Sequence, residues 1–370
     1  MTSGPGSPLS TRLVALDFLR GLALTLVLVD HVDDLIESQE FFTRWTLKGL
    51  GFSDAAEAFV FLSGFTFGWV YSRRLERDGF GAVQRRALIR TVQIYAAMML
   101  TTLLASGLSW WLSRTMRLPL TITTPTMFRE TIQEAALLRE PVWGLGILVV
   151  YLAVLPFLPA LLWLARRNAM AALGVSLAVY AGSQLDPAMN LGDAGFNPLA
   201  WQVLVVGGMV LGQRARGGWT FRPGRTVIVV AGLVLAMGAL VMRGEGLAAI
   251  DFVRQQLAGM PAYSKTNLGV IRIGHFTAVA VVTVAVVRRW PGIAGHWLAR
   301  PLVWSGRHSL TLFCVGVLLA YVSVVAVRFL PDSIVSLLFL AADAVVVQFA
   351  VAWWLEWRAS RIRGSDRTGG

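Results

Sequence analysis

Charge is scarce in this sequence: Asp, Glu, Lys and Arg make up 15% of its 370 residues, against about 25% in soluble globular chains. A water-soluble enzyme of this length is therefore not expected. Cysteine is nearly absent. The single thiol, Cys314, excludes a disulfide framework and any multi-cysteine zinc site. Four histidines leave little material for other metal chemistry, and no metal is expected. The apolar stretches also lack the in–out alternation of a membrane strand. What the chain has instead is 56% hydrophobic residues and a mean hydropathy of +0.63.

Runs close to the ~20 residues that cross a bilayer recur from Leu13 to Trp357. They predict an all-α, polytopic integral membrane protein with about ten spans. These lie near 13–33, 51–71, 88–112, 142–164, 169–185, 198–213, 226–243, 268–288, 308–327 and 334–357. One transmembrane domain, 13–357, then sits between a short tail, 1–12, and a basic tail, 358–370. The residues before Arg12 are rich in Ser, Gly and Pro and offer no small-residue cleavage site, so the first run is expected to stay in the protein. There is no internal repeat.

A net charge of +12 would suit a nucleic-acid partner, but its placement argues against one. Basic residues collect in alternate connections, as in the group Arg73, Arg74, Arg77, Arg85, Arg86 and Arg90, and one side gathers 22 of the 33 Lys and Arg residues. This is the positive-inside pattern, and it puts both termini in the cytoplasm. The longer connections on the other side, about 113–140 and 244–267, are where a polar substrate would dock.

Among the ionisable groups of the first run are Arg20 and His31. Eleven residues of helix are three turns plus about 20°, so both side chains leave one face, ~16.5 Å apart along the axis. Charged groups inside a span are costly and face a bundle interior or a wet cavity. Asp17, three residues before Arg20, is a natural partner for it.

At these positions the sequence resembles the acyltransferase-3 superfamily of membrane acyltransferases, whose R-x10-H pattern Arg20 and His31 match. More specifically, several segments look like the OpgC family, which contains proteins that succinylate osmoregulated periplasmic glucans. They are Asp17-Phe-Leu-Arg20, Asp30-His31, Phe52-Ser-Asp54-Ala-Ala-Glu57, Asn197-Pro-Leu-Ala-Trp201-Gln202, Lys265-Thr-Asn267 and Gly306-Arg307-His308-Ser309. The resemblance implies a bacterial inner-membrane protein with ten helices. It also implies a cytoplasmic acyl-CoA donor, succinyl-CoA, and a periplasmic glucan acceptor.

The candidate residues fall on two sides. Outside are Asp30 and His31, then Asp54 and Glu57 three apart on one helical face, Trp201 and Gln202, and Lys265, Asn267, Arg272 and His275. Acyl transfer to a hydroxyl needs a base and donors for the developing oxyanion. His31 suits the base because imidazole titrates near neutrality, with Asp30 or Asp54 to fix its tautomer. The free carboxylate of a succinyl group favours a cation, here Arg272, Lys265 or His275, and Trp201 is a surface for a sugar ring. Inside, Arg20, Arg307, His308, Arg73 and Arg74 are cations for the phosphates of the donor.

Two rivals stand beside this reading. One changes the acyl group to acetyl or the acceptor to another surface polysaccharide. The other is a transporter of an anionic solute, which would also need charged groups in the membrane but is commonly built from repeated halves. Gly207, Gly208 and Gly212 are expected to permit close helix packing.

Overall fold

A computed structural model describes residues 8–36, 42–115, 124–189, 191, 195–244, 246–331 and 333–368. Residues 116–123 of the first long connection, and the side chains of Arg12, Arg363 and Arg367, lie outside that description. Among the described residues every regular element is a helix. In chain order these are α1 (Pro8–Ile36), α2 (Ala55–Thr115), α3 (Pro125–Ala136), α4 (Gly146–Val154), α5 (Leu158–Arg167), α6 (Ala169–Leu185) and α7 (Pro198–Arg216). They continue with α8 (Arg225–Arg243), α9 (Ala248–Ala258), α10 (Val270–Arg289), α11 (Arg300–Arg307), α12 (Ser309–Ala326) and α13 (Ile334–Thr368). Short 3-10 turns join several of them.

The protein is an all-α polytopic membrane protein. Five helical stretches among the described residues are long and apolar enough to cross a bilayer, and six if α4 and α5, bent by 56° at their junction, count as one span. The two connections expected outside carry the short helices α3 and α9.

One expectation needs revising at the second and third spans. The sequence suggests two helices joined by a basic loop over 72–90, whereas α2 runs as helix from residue 55 to 115, with Gly79 (φ 80°, ψ 172°) as the non-helical break. The intervening residues are mostly Arg, Leu, Glu, Ala and Gln without proline, all good helix formers. Asp78 binds Arg77 and Arg86, each at 2.6 Å, and so ties the two sides of the break together. The basic tail likewise continues α13 as helix.

The chain divides into two compact units. Unit one takes the residues up to Lys48 and those from Thr283 onward, and unit two is Gly49–Val282. Unit one is built on α1, which packs against α11, α12 and α13. Its core cluster of Leu28, Val32, Ala320 and Ala344 comes from α1, α12 and α13.

In unit two, α2 and α7 cross at backbone distance. A Cβ on Gly64 would collide with the Val205 carbonyl, and one on Gly68 with that of Met209. From the other side, a Cβ on Gly208 would strike the Phe61 carbonyl and one on Gly212 that of Phe65. Two small-xxx-small ridges therefore interlock, the usual route to close approach in a membrane, where burial of apolar surface gives helices no drive to associate. Gly207 meets nothing within 4 Å and has no part in this contact.

Candidate functional site

In unit one, the face of α1 read from the sequence is turned inward. Arg20 donates from Nη2 to the Ser309 hydroxyl at 2.5 Å. The His31 ring stands edge-on to Phe313, centroids 6.3 Å apart. Ser309 and Phe313 are one turn apart on α12, so a single partner helix meets both ends of the stripe. Asp30 is buried and accepts a 2.6 Å hydrogen bond from Thr46, which pins the chain that follows α1.

The N-terminal end of the stripe is ionic. Arg307 reaches Asp17 at 3.4 Å and Glu356 at 2.8 Å, and His308 reaches the other oxygen of Glu356 at 3.2 Å. The Arg307 side chain keeps 39% of its surface exposed, so it can meet a further anion while these carboxylates hold it in place. Arg73 is exposed, and Arg74 lies over the Tyr71 ring at 5.3 Å; both belong to unit two.

Unit two holds a second polar cluster at the start of α2. Asp54 accepts from the Ala56 amide at 2.8 Å, and Glu57 accepts from the Asp54 amide at 2.9 Å. Asp54 thus caps the second amide of α2 while Glu57 reaches back to the cap residue's own amide, a variant of the capping box, so both carboxylates also terminate the helix. Arg272 on α10 binds Glu57 through Nη2 at 2.5 Å and Nε at 2.7 Å, and Asp54 at 3.2 Å. Glu57 is completely buried, and Arg272 and Asp54 nearly so. Lys265 binds Asp54 at 2.7 Å and lies 5.5 Å from the Phe196 ring.

Burial pushes the Asp54 carboxyl up, but the Lys265 ammonium and Arg272 guanidinium outweigh it and hold the group well below the ordinary carboxylate range. For Lys265, burial pulls downward, and Asp54 more than compensates, leaving the ammonium harder to deprotonate than usual. Two cations thus face two carboxylates. The Arg272 fork is committed to Glu57 and Asp54, whereas the Lys265 side chain is 48% exposed and retains donors for another partner.

Trp201, Gln202, Asn267 and His275, expected at a substrate surface, are engaged within the protein. Trp201 is fully buried, and its indole N–H donates to the Lys265 and Thr266 carbonyls at 3.0 and 3.1 Å, leaving no ring face for a sugar. Gln202 exchanges hydrogen bonds with Ser176, both at 2.7 Å. Asn267 accepts from Asn197 at 3.0 Å. Trp201 and Asn197 thereby fix the loop that presents Lys265. His275 meets the Ser53 hydroxyl at 2.7 Å through Nδ1, and its Nε2 presses on Gly51 (φ 154°), where a Cβ would overlap the ring.

Phe313 and Glu356 were not singled out from the sequence, and Ser309 entered only as the last residue of a resembling block. Ser309 closes the Gly306-Arg307-His308-Ser309 block, and Glu356 is an isolated acid beside a basic tail; both are local signals. Phe313 has none. Among the described residues, no group of three or more His, Cys, Asp or Glu is placed to hold a metal ion.

A protein-family model described as OpgC protein matches residues 12–360. The chain belongs to the OpgC family. No curated protein and no solved structure matches it. As an OpgC-family member the chain is a membrane transferase.

Proposed function

We propose that this OpgC-family protein transfers a succinyl group from cytoplasmic succinyl-CoA to a hydroxyl of a periplasmic glucan, across the bacterial inner membrane. The observation that carries the reading is the inward stripe of α1. Arg20 and His31 both face α12, ~16.5 Å apart along the helix, a span that an extended pantetheine arm covers. Arg20, Arg307 and His308 take the phosphates of the donor at one end. His31 waits for the thioester at the other.

His31 removes the proton from the glucan hydroxyl as its oxygen attacks the thioester carbonyl. The tetrahedral intermediate collapses, the carbon–sulfur bond breaks, and the CoA thiolate takes the proton back from the imidazolium. Carbon–oxygen and sulfur–hydrogen bonds replace carbon–sulfur and oxygen–hydrogen bonds, so atoms and charge balance.

Replacing His31 with Ala is expected to abolish glucan-dependent thiol release from succinyl-CoA while the unfolding temperature stays near that of the parent; retained turnover rules His31 out. Mass spectrometry after incubation with donor alone separates the two chemistries open to His31. An acyl adduct there means transfer in two steps, and its absence means direct attack within a ternary complex. Comparing thiol release from succinyl-CoA and from acetyl-CoA in the parent protein tests the acyl group, which this reading expects to be succinyl.

A further inference from the structure

Unit one contains two buried polar groups that the mechanism above leaves without work. Gln348 on α13 is completely buried. Its Oε1 accepts from the Thr25 hydroxyl of α1 at 3.1 Å, while its Nε2 has no hydrogen-bond partner among the described residues. Ser305 on α11 is also completely buried, with its hydroxyl likewise unpartnered among those residues. Buried amides and hydroxyls are nearly always satisfied, and each exception asks for an explanation. The requirement is sharper inside a membrane, where no water is at hand to take over.

The position of the two groups supplies one. Leu302 and Gly306 of α11 press on Gly21 and Asp17 of α1, which holds Ser305 near the level of Arg20. Thr25, the anchor of Gln348, stands ~7.5 Å beyond Arg20 and ~9 Å short of His31 along α1. The unpartnered hydroxyl thus stands at the level of the cation that meets the donor head, and the unpartnered amide lies between that cation and the imidazole that meets the thioester.

We infer that Ser305 and Gln348 are hydrogen-bonding stations for the two amides of the pantetheine arm. A pantetheine amide crossing the membrane interior must find donors for its carbonyls, and a side-chain NH₂ or hydroxyl is such a donor. Both stations are shut off from solvent, so the arm rather than water is the partner they serve. This inference rests on the donor reading proposed above.

The test uses the full chain in lipid nanodiscs with Gln348→Leu and Ser305→Ala. Removing the unpartnered Ser305 hydroxyl should leave the unfolding temperature unchanged or raise it, and Gln348→Leu, which also gives up the Thr25 contact, should lower it only slightly because Thr25 keeps its bond to the Gly21 carbonyl. The expected result adds to this a KM for succinyl-CoA at least tenfold higher and an unchanged KM for glucan. A short alkyl succinyl thioester that lacks both amides should be turned over equally by parent and variants. An unchanged KM for succinyl-CoA in both variants, or an equal rise for glucan, overturns the inference. If the parent protein releases no thiol from any acyl-CoA, the donor reading itself falls and takes the stations with it. Should Gln348→Leu fail to fold, Ser305→Ala is judged by the same criteria.

Discussion

Glu57 shows none of its surface to solvent, and Arg272 is what makes that tolerable. Removing one partner of a buried pair strands the other as an uncompensated charge, at a cost of roughly 3–5 kcal/mol. Arg272→Met should therefore destabilise the protein by about that much in denaturant titration, and adding Glu57→Gln should recover part of the loss. The pair of Asp54 and Lys265 responds to pH instead. Asp54 is held below its ordinary range, so its stabilising contribution is present above the ordinary carboxylate pKa and disappears as pH falls through the depressed value. Lys265 is raised, so its contribution is present below the ordinary lysine pKa and is lost only as strong alkali passes the raised value. The unfolding temperatures of parent and Asp54→Asn should differ across neutral pH and converge in strong acid. At this scale the sequence was partly readable. The spacing of Asp54 and Glu57 announces a shared helical face, as does that of Arg20 and His31. Trp201 was not readable in the same way. An interfacial Trp at a helix start looks alike whether its ring is open or its N–H holds a loop, and only burial separates the two.

Among the elements, α2 and α7 state their contact in glycine. Gly208→Leu should prevent stable folding, because the added side chain meets the Phe61 backbone, which has nowhere to go. Gly207→Ala, one residue away, should be neutral or stabilising by up to about 1 kcal/mol, since a helix gains from the change and nothing lies in its path. Thermal unfolding in detergent distinguishes the two. The sequence suggested packing for all three glycines of α7, but their separate duties depend on which face α2 occupies, and a one-residue step turns a helix by about 100°. The extent of α2 was legible in its apolar parts only. Its 61 residues make ~91 Å of helix, about three times the ~30 Å hydrocarbon thickness. Two crossings with a break at Gly79 are the economical solution, and charge alone had marked the segment between them as loop.

For the whole molecule, sidedness remains the property most open to direct measurement. Cys314 is the chain's one cysteine and is buried, so Cys314→Ala gives a background for single-cysteine labelling. If both termini lie in the cytoplasm, as the charge pattern predicts, Arg129→Cys on α3 should react with a membrane-impermeant maleimide in intact spheroplasts. Arg77→Cys, in the basic stretch of α2, should react only after lysis, and the opposite pattern would invert the donor and acceptor sides. Unit one draws on both ends of the chain, a closure that hydropathy does not reveal, since apolar runs carry no record of which partner each will meet.

Glu57 and Arg272 are separated by 215 residues of chain, which has a bearing on biogenesis. As the polypeptide leaves the ribosome, the acid enters the translocon long before its guanidinium exists. Until α10 is synthesised, the nascent protein must keep that carboxylate protonated, at the lipid–water boundary or under the care of an insertase. A ribosome stalled ahead of residue 272 would present the membrane's quality-control proteases with an unmatched acid, and completion of α10 is the step that removes that degradation signal.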